Sequence, residues 1–103
     1  MIDLSTVAGF DWDEGNARKN DRHGVSMAEA EQVFFNTPLL VLDEVAHSQS
    51  EPRFHALGKA TEGRRLHSCF TLRGDGRLIR VISARNMSRK EQAVYGQAPQ
   101  DNP

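Results

Sequence analysis

Arg65-Leu66-His67-Ser68-Cys69-Phe70-Thr71-Leu72-Arg73-Gly74-Asp75-Gly76-Arg77-Leu78-Ile79-Arg80-Val81-Ile82-Ser83-Ala84-Arg85 is the stretch that decides the fold of this chain. Leu66, Ser68, Phe70 and Leu72 alternate with His67, Cys69, Thr71 and Arg73, the period of two that gives a strand one buried and one more polar face. Gly74-Asp75-Gly76 is a hairpin turn signal, and 77–85 is the return strand. That strand ends in an arginine and passes almost at once to Ser88-Arg89-Lys90-Glu91, a capping box that starts a last helix.

Working towards the N-terminus, Glu62-Gly63 is a turn and 53–57 is a strand that stops at Gly58. Leu39 to Leu42 is a strand-like apolar run, and the polar stretch from Asp43 to Pro52 is a loop. Ser26-Met27-Ala28-Glu29 is another capping box, and Ala30, Val33 and Phe34 give its helix one apolar face. Asn36-Thr37-Pro38 ends that helix, because proline cannot continue it and disfavours helical backbone just before itself. Gly9 to Asp13 is a short strand leading to a helix over 14–22. Asp13 caps that helix, Glu14 favours its positive end, and Gly24 suits the left-handed position past its far end. The order is strand, helix, helix, three or four antiparallel strands, helix. This predicts a small α+β domain over 1–97 with one curled antiparallel sheet, and a disordered tail at 98–103.

At 103 residues the chain supports one modest core. No apolar run approaches a membrane span, and the acidic start is unlike a signal peptide. The single cysteine, Cys69, has no internal disulfide partner, which fits a reducing cytoplasm. Net charge is only −1, but it is unevenly spread. Residues 1–50 hold three Lys/Arg against nine Asp/Glu, whereas 51–90 hold ten against three. The two halves either neutralise each other across the fold or present a basic sheet face to an anionic partner. Arg80, Arg85, Arg89 and Lys90 fall within eleven residues, and phosphate is the natural partner for such a cluster. His67-x-Cys69, with His47 or His55, lacks strong zinc spacing, so neither metal nor cofactor is expected.

Several separated motifs together resemble the BrnT toxin family. They are Phe10-Asp11-Trp12-Asp13-Glu14-Gly15-Asn16, His23-Gly24-Val25-Ser26, and Glu29-Ala30-Glu31 with Val33-Phe34. The middle adds Asp43, His47-Ser48, Glu51, Arg53-Phe54 and Gly58. Last come Ile82-Ser83-Ala84-Arg85, then Arg89-Lys90-Glu91 and Tyr95. The resemblance spans about 9–95. It implies a RelE-like fold and an endoribonuclease toxin that arrests translation in the cytoplasm. It also implies neutralisation by a BrnA-like antitoxin in a two-plus-two assembly that touches operator DNA only through the antitoxin. The chain departs from the family at Arg22, where lysine is usual, at His67-Ser68-Cys69 in a Val-rich strand, at Asn86, and at Gly96 after Tyr95.

Metal-free RNA cleavage needs a base for the 2′-OH, cations for the phosphorane and an acid for the 5′-oxygen. Arg80 and Arg85 are the candidates for charge stabilisation, because arginine grips phosphate oxygens in pairs. Arg85 has an alternative role in bonding helix-end carbonyls or Asp13. His23 is an acid–base candidate by residue type, with a structural alternative at the end of its helix. Tyr95 is a candidate to stack a base or donate a proton, or else it packs down. Lys19, Arg53, Arg64, Arg89 and Lys90 are candidate RNA contacts. A decayed toxin that only binds its antitoxin as a co-repressor is the competing reading.

Overall fold

The computed structural model describes residues 4–43 and 52–98. Within them lie β1 (Gly9–Phe10), α1 (Glu14–Arg22), α2 (Met27–Gln32), β2 (Leu40–Asp43), β3 (Phe54–Lys59), β4 (Arg65–Arg73), β5 (Leu78–Asn86) and α3 (Arg89–Gly96). Of the expected loop from Asp43 to Pro52, Asp43 instead closes β2, and 44–51 fall outside the described residues, as does the tail beyond Ala98.

The sheet order is β1-β5-β4-β3-β2. Strands β2 to β5 form the expected antiparallel meander, and β1 adds a parallel edge by pairing Gly9 with Leu78 and Phe10 with Ile79. Gly74, Asp75 and Gly76 all take positive φ, which brings β5 back along β4. Strand β3 runs through Gly58 instead of ending there. A Cβ at Gly58 would lie 2.7 Å from Val33 Cγ1, so this glycine lets the end of α2 press against the sheet. Between Cys69 and Phe70 the β4–β5 register shifts, leaving Cys69 opposite Ser83 and Phe70 opposite Val81. The predicted alternation therefore buries Leu66, Ser68 and Phe70. Beyond the bulge Thr71 is buried too, its hydroxyl donating to the Pro52 carbonyl at 2.7 Å.

One face of the sheet carries the core, in which Val25, Ala30 and Val33 meet Ala56, Leu66, Phe70, Ile79, Val81 and Ala84. Phe34 stands edge-on to Phe70 with centroids 5.0 Å apart. Each helix opens with a capping box. Those of α2 and α3 are the predicted Ser26/Glu29 and Ser88/Glu91 pairs, while in α1 Asn16 returns the bond from Asp13.

Because β1 is only two residues long, most of the β5 edge has no strand beside it. Helix α1 covers that edge with two buried amides one turn apart. Asn16 Nδ2 donates to the Val81 carbonyl at 3.0 Å, and Asn20 Oδ1 accepts from the Ala84 amide at 2.7 Å. Buried backbone groups need such partners, so α1 acts as a substitute strand. On the opposite face, α3 packs Tyr95 against Leu57 and Met87.

Candidate active site

The sheet face away from the main core brings polar side chains of three strands into two rows. His55, Cys69 and Ser83 are register partners in one row, and Leu57, His67 and Arg85 in the next. At the end of β5, Arg85 turns towards α3. Its Nη1 and Nη2 donate to the two carboxylate oxygens of Glu91 at 2.8 and 2.9 Å, and Nη1 also donates to the Asn86 carbonyl at 3.1 Å. Glu91 Oε1 accepts a further bond from the Ser88 amide at 2.8 Å. Arg85, then the Ser88 amide, hold the Glu91 carboxyl down to about 2 against the opposing effect of burial. The same pair raises Arg85. The Arg85 side chain remains 41% exposed.

Beside Arg85, His67 Nε2 lies 2.9 Å from His55 Nδ1, with ring centroids 5.0 Å apart. Burial lowers the His67 pKa, and the positive charge of Arg85 lowers it further, while Glu91 acts in the opposite sense. The ring is therefore neutral at pH 7. Among the described residues His67 Nδ1 is buried with no partner beyond the backbone of His67 itself. Across the His55–His67 contact one ring nitrogen donates and the other accepts.

Arg80 lies five residues before Arg85 on β5. Its Nη2 contacts Asp13 Oδ2 at 3.0 Å and its Nη1 lies 3.6 Å from Asp11 Oδ2. The Arg80 side chain is 17% exposed, and its hydrogen bond is the main cause lowering the Asp13 carboxyl. Asp13 is thus the partner of Arg80, and Glu91 that of Arg85. Five residues of strand separate the two Cα atoms by about 16 Å. The guanidinium groups also lean to different neighbours, so one phosphate does not bridge them.

The other candidates are dispersed. Lys19 is exposed and lines a shallow hollow with Gly15, Asn16, Arg80 and Ile82. Arg53 is exposed just before β3, and Arg89 and Lys90 are exposed in the first turn of α3. Arg64 is held by the Gly24 carbonyl, Glu29 and Asn86 at 2.8, 3.0 and 2.8 Å. His23 is exposed as the C-cap of α1. Tyr95 is 2% exposed, donates its hydroxyl to the Pro38 carbonyl at 2.6 Å, and carries the Arg65 guanidinium 5.3 Å above its ring. The sequence set His55 with His67 only as a rejected metal grouping, and the second role of Glu91 was not recovered from it. His67 stood on the polar face of its strand, but only the β3–β4 register brings His55 to it.

A model of the family described as the ribonuclease toxin BrnT of type II toxin–antitoxin systems matches residues 12–91. The chain belongs to this family. The match takes in His55, His67, Arg80, Arg85 and Glu91 and stops short of Tyr95. A search among curated proteins finds no match. A toxin of this class has an antitoxin as its partner. Among the described residues no helix is long and apolar enough to cross a membrane, and no three His, Cys, Asp or Glu side chains are grouped to hold a metal ion.

Proposed function

We propose that this BrnT-family chain is a metal-independent endoribonuclease whose cleavage of RNA arrests translation, and that a BrnA-like antitoxin restrains it in the cytoplasm. The observation that carries the reading is Arg85, half-exposed beside the His55–His67 pair on the face away from the core. Three of its five N–H donors are committed, one to Asn86 and two to Glu91, which leaves Nε–H and one Nη2–H for a phosphate. In the reaction the 2′-oxygen attacks phosphorus as the P–O5′ bond breaks. The imidazole couple takes the 2′-OH proton, and a proton is returned to the 5′-oxygen. A 2′,3′-cyclic phosphate and a 5′-hydroxyl result, with no co-reactant consumed.

Arg80, Lys19, Arg53, Arg64, Arg89 and Lys90 supply flanking phosphate contacts in this reading, and Arg80 binds a different phosphate from Arg85. Tyr95 anchors α3 under the site, and His23 closes α1. The antitoxin covers the basic face with a segment carrying acidic groups, in a two-plus-two complex that reaches operator DNA through the antitoxin.

One observation favours the second reading, a decayed toxin acting as co-repressor. Arg64, Arg80 and Arg85 all already have carboxylate partners within the chain. Induced expression with and without the adjacent gene, together with mapping of RNA ends, separates the two. Arrest that the neighbour relieves, with new RNA ends, supports the nuclease. Normal growth with folded protein supports the co-repressor.

A further inference from the structure

We propose that Glu91 is a positioning residue: its carboxylate grips the Nη1/Nη2 end of Arg85 and so presets the Nε/Nη2 edge as a two-pronged seat for one phosphate of the RNA. This inference rests on the nuclease reading and assigns the geometry of its central cation. An arginine has two edges that fit a planar or tetrahedral oxyanion, one end-on through both Nη atoms and one side-on through Nε and Nη2. Here Glu91 takes the end-on edge with both oxygens. The Asn86 carbonyl takes the remaining Nη1 hydrogen. The side-on edge is what these bonds leave for a ligand.

Glu91 is itself fixed. Its Oε1 accepts the Ser88 amide, and its own amide donates to Ser88 Oγ at 3.2 Å. The capping box thus anchors the carboxylate at the start of α3, and the carboxylate anchors Arg85. A free arginine at a strand end would lose side-chain entropy on gripping phosphate, and here most of that ordering precedes binding. Glu91 also bears on the neighbouring imidazole, since its charge opposes the effect of Arg85 on His67. Titratable and charged groups face this point from β3 (His55), β4 (His67), β5 (Arg85) and α3 (Glu91).

The test compares wild type with Glu91→Gln, Glu91→Asp and Ser88→Ala. Glu91→Gln keeps the shape but loses the charge and one acceptor. Ser88→Ala removes a helix cap and leaves both Arg85 bonds to Glu91 in place. The first readout is the Arg85 Nε–H resonance in ¹⁵N spectra during titration with inorganic phosphate. Wild type and Ser88→Ala should show a sharp signal that shifts with phosphate, and Glu91→Gln a broadened one that responds weakly. The second is single-turnover cleavage of an RNA oligonucleotide, beside binding of its 2′-O-methyl analogue. Glu91→Gln should cut roughly 10- to 100-fold more slowly with a much smaller change in Kd, and Glu91→Asp should recover part of the loss.

Tighter RNA binding by Glu91→Gln with undiminished cleavage would overturn the proposal, because Glu91 would then be competing with phosphate for Arg85. A wild-type Arg85 Nε–H that ignores phosphate overturns it as well, whether or not RNA is cut. Absence of cleavage by folded wild type, with the phosphate response intact, strikes the nuclease reading and leaves the phosphate seat standing.

Discussion

The two ends of β5 solve the same problem differently. Each carries an arginine paired with carboxylates from another element, yet one end is closed and the other open. Arg80 is 17% exposed and sits between Asp11 and Asp13, so it ties the corner between β1 and α1 to the sheet. Arg85 is 41% exposed, meets one carboxylate, and stands beside two histidines. Charge alone does not separate a clamp from a reactive group. Uncommitted donors and titratable neighbours do.

The sharpest way to break this contrast is Arg85→Ala. Loss of a preorganised donor to the reacting phosphate should cut RNA cleavage roughly 100- to 1,000-fold. Growth arrest should disappear while circular dichroism and antitoxin binding stay unchanged. A folded Arg85→Ala protein that remains toxic would mean the chemistry lies elsewhere.

The closed end should fail through stability. Asn20→Ala removes the side chain that accepts from the buried Ala84 amide, and a buried amide left unpaired costs about 1–3 kcal/mol. Among the described residues Asn20 Nδ2 itself has no partner, so the substitution also removes one orphan donor, and the loss should sit near the lower end of that range. Urea unfolding reads this directly, and an unchanged midpoint would show that α1 does not act as a surrogate strand. Arg80→Ala should follow with a smaller effect. It leaves Asp11 and Asp13 without their main cation, and the melting temperature should fall by a few degrees while cleavage drops less than tenfold. A larger loss of cleavage than Arg85→Ala produces would reverse the assignment of the two ends.

Legibility in the sequence followed the range of the interactions. The β4–β5 hairpin, the bounds of α1 and the two Ser/Glu boxes depend on residues a few positions apart, and all were readable. The parallel edge strand was not, since nothing near Gly9-Phe10 points to Leu78-Ile79. Gly58 read as a strand end because local rules treat glycine as punctuation, and only the approach of Val33 shows why it sits within a strand. The arginines were found, but not the partners of Arg80. Asp13 is 67 positions from it, and proximity along the chain offered Arg85 an equal claim. Asn16 and Asn20 looked like ordinary polar helix residues, because their value depends on a strand edge that β1 leaves uncovered.

The smallest expected effect tests the open end through pH. Burial and Arg85 hold the His67 pKa below its ordinary value of 6.5 in the fold, so in that range the unfolded chain binds the proton more readily. The His67 contribution is therefore fully present above the unfolded pKa and is lost as pH falls through it towards the folded value. Glu91 obeys the same sign in a lower window. Its carboxyl titrates at about 2 in the fold against an ordinary 4.5, so its contribution is lost below about pH 4.5. The histidine contribution begins to fall near pH 6.5 and that of Glu91 only near 4.5, so a stability profile between pH 7 and 5 reads the histidine first. Wild type should lose stability across that interval, and His67→Gln should flatten the slope while leaving the acid limb below pH 4.5 in place. A slope that survives His67→Gln would assign the titration to another group and remove His67 from it.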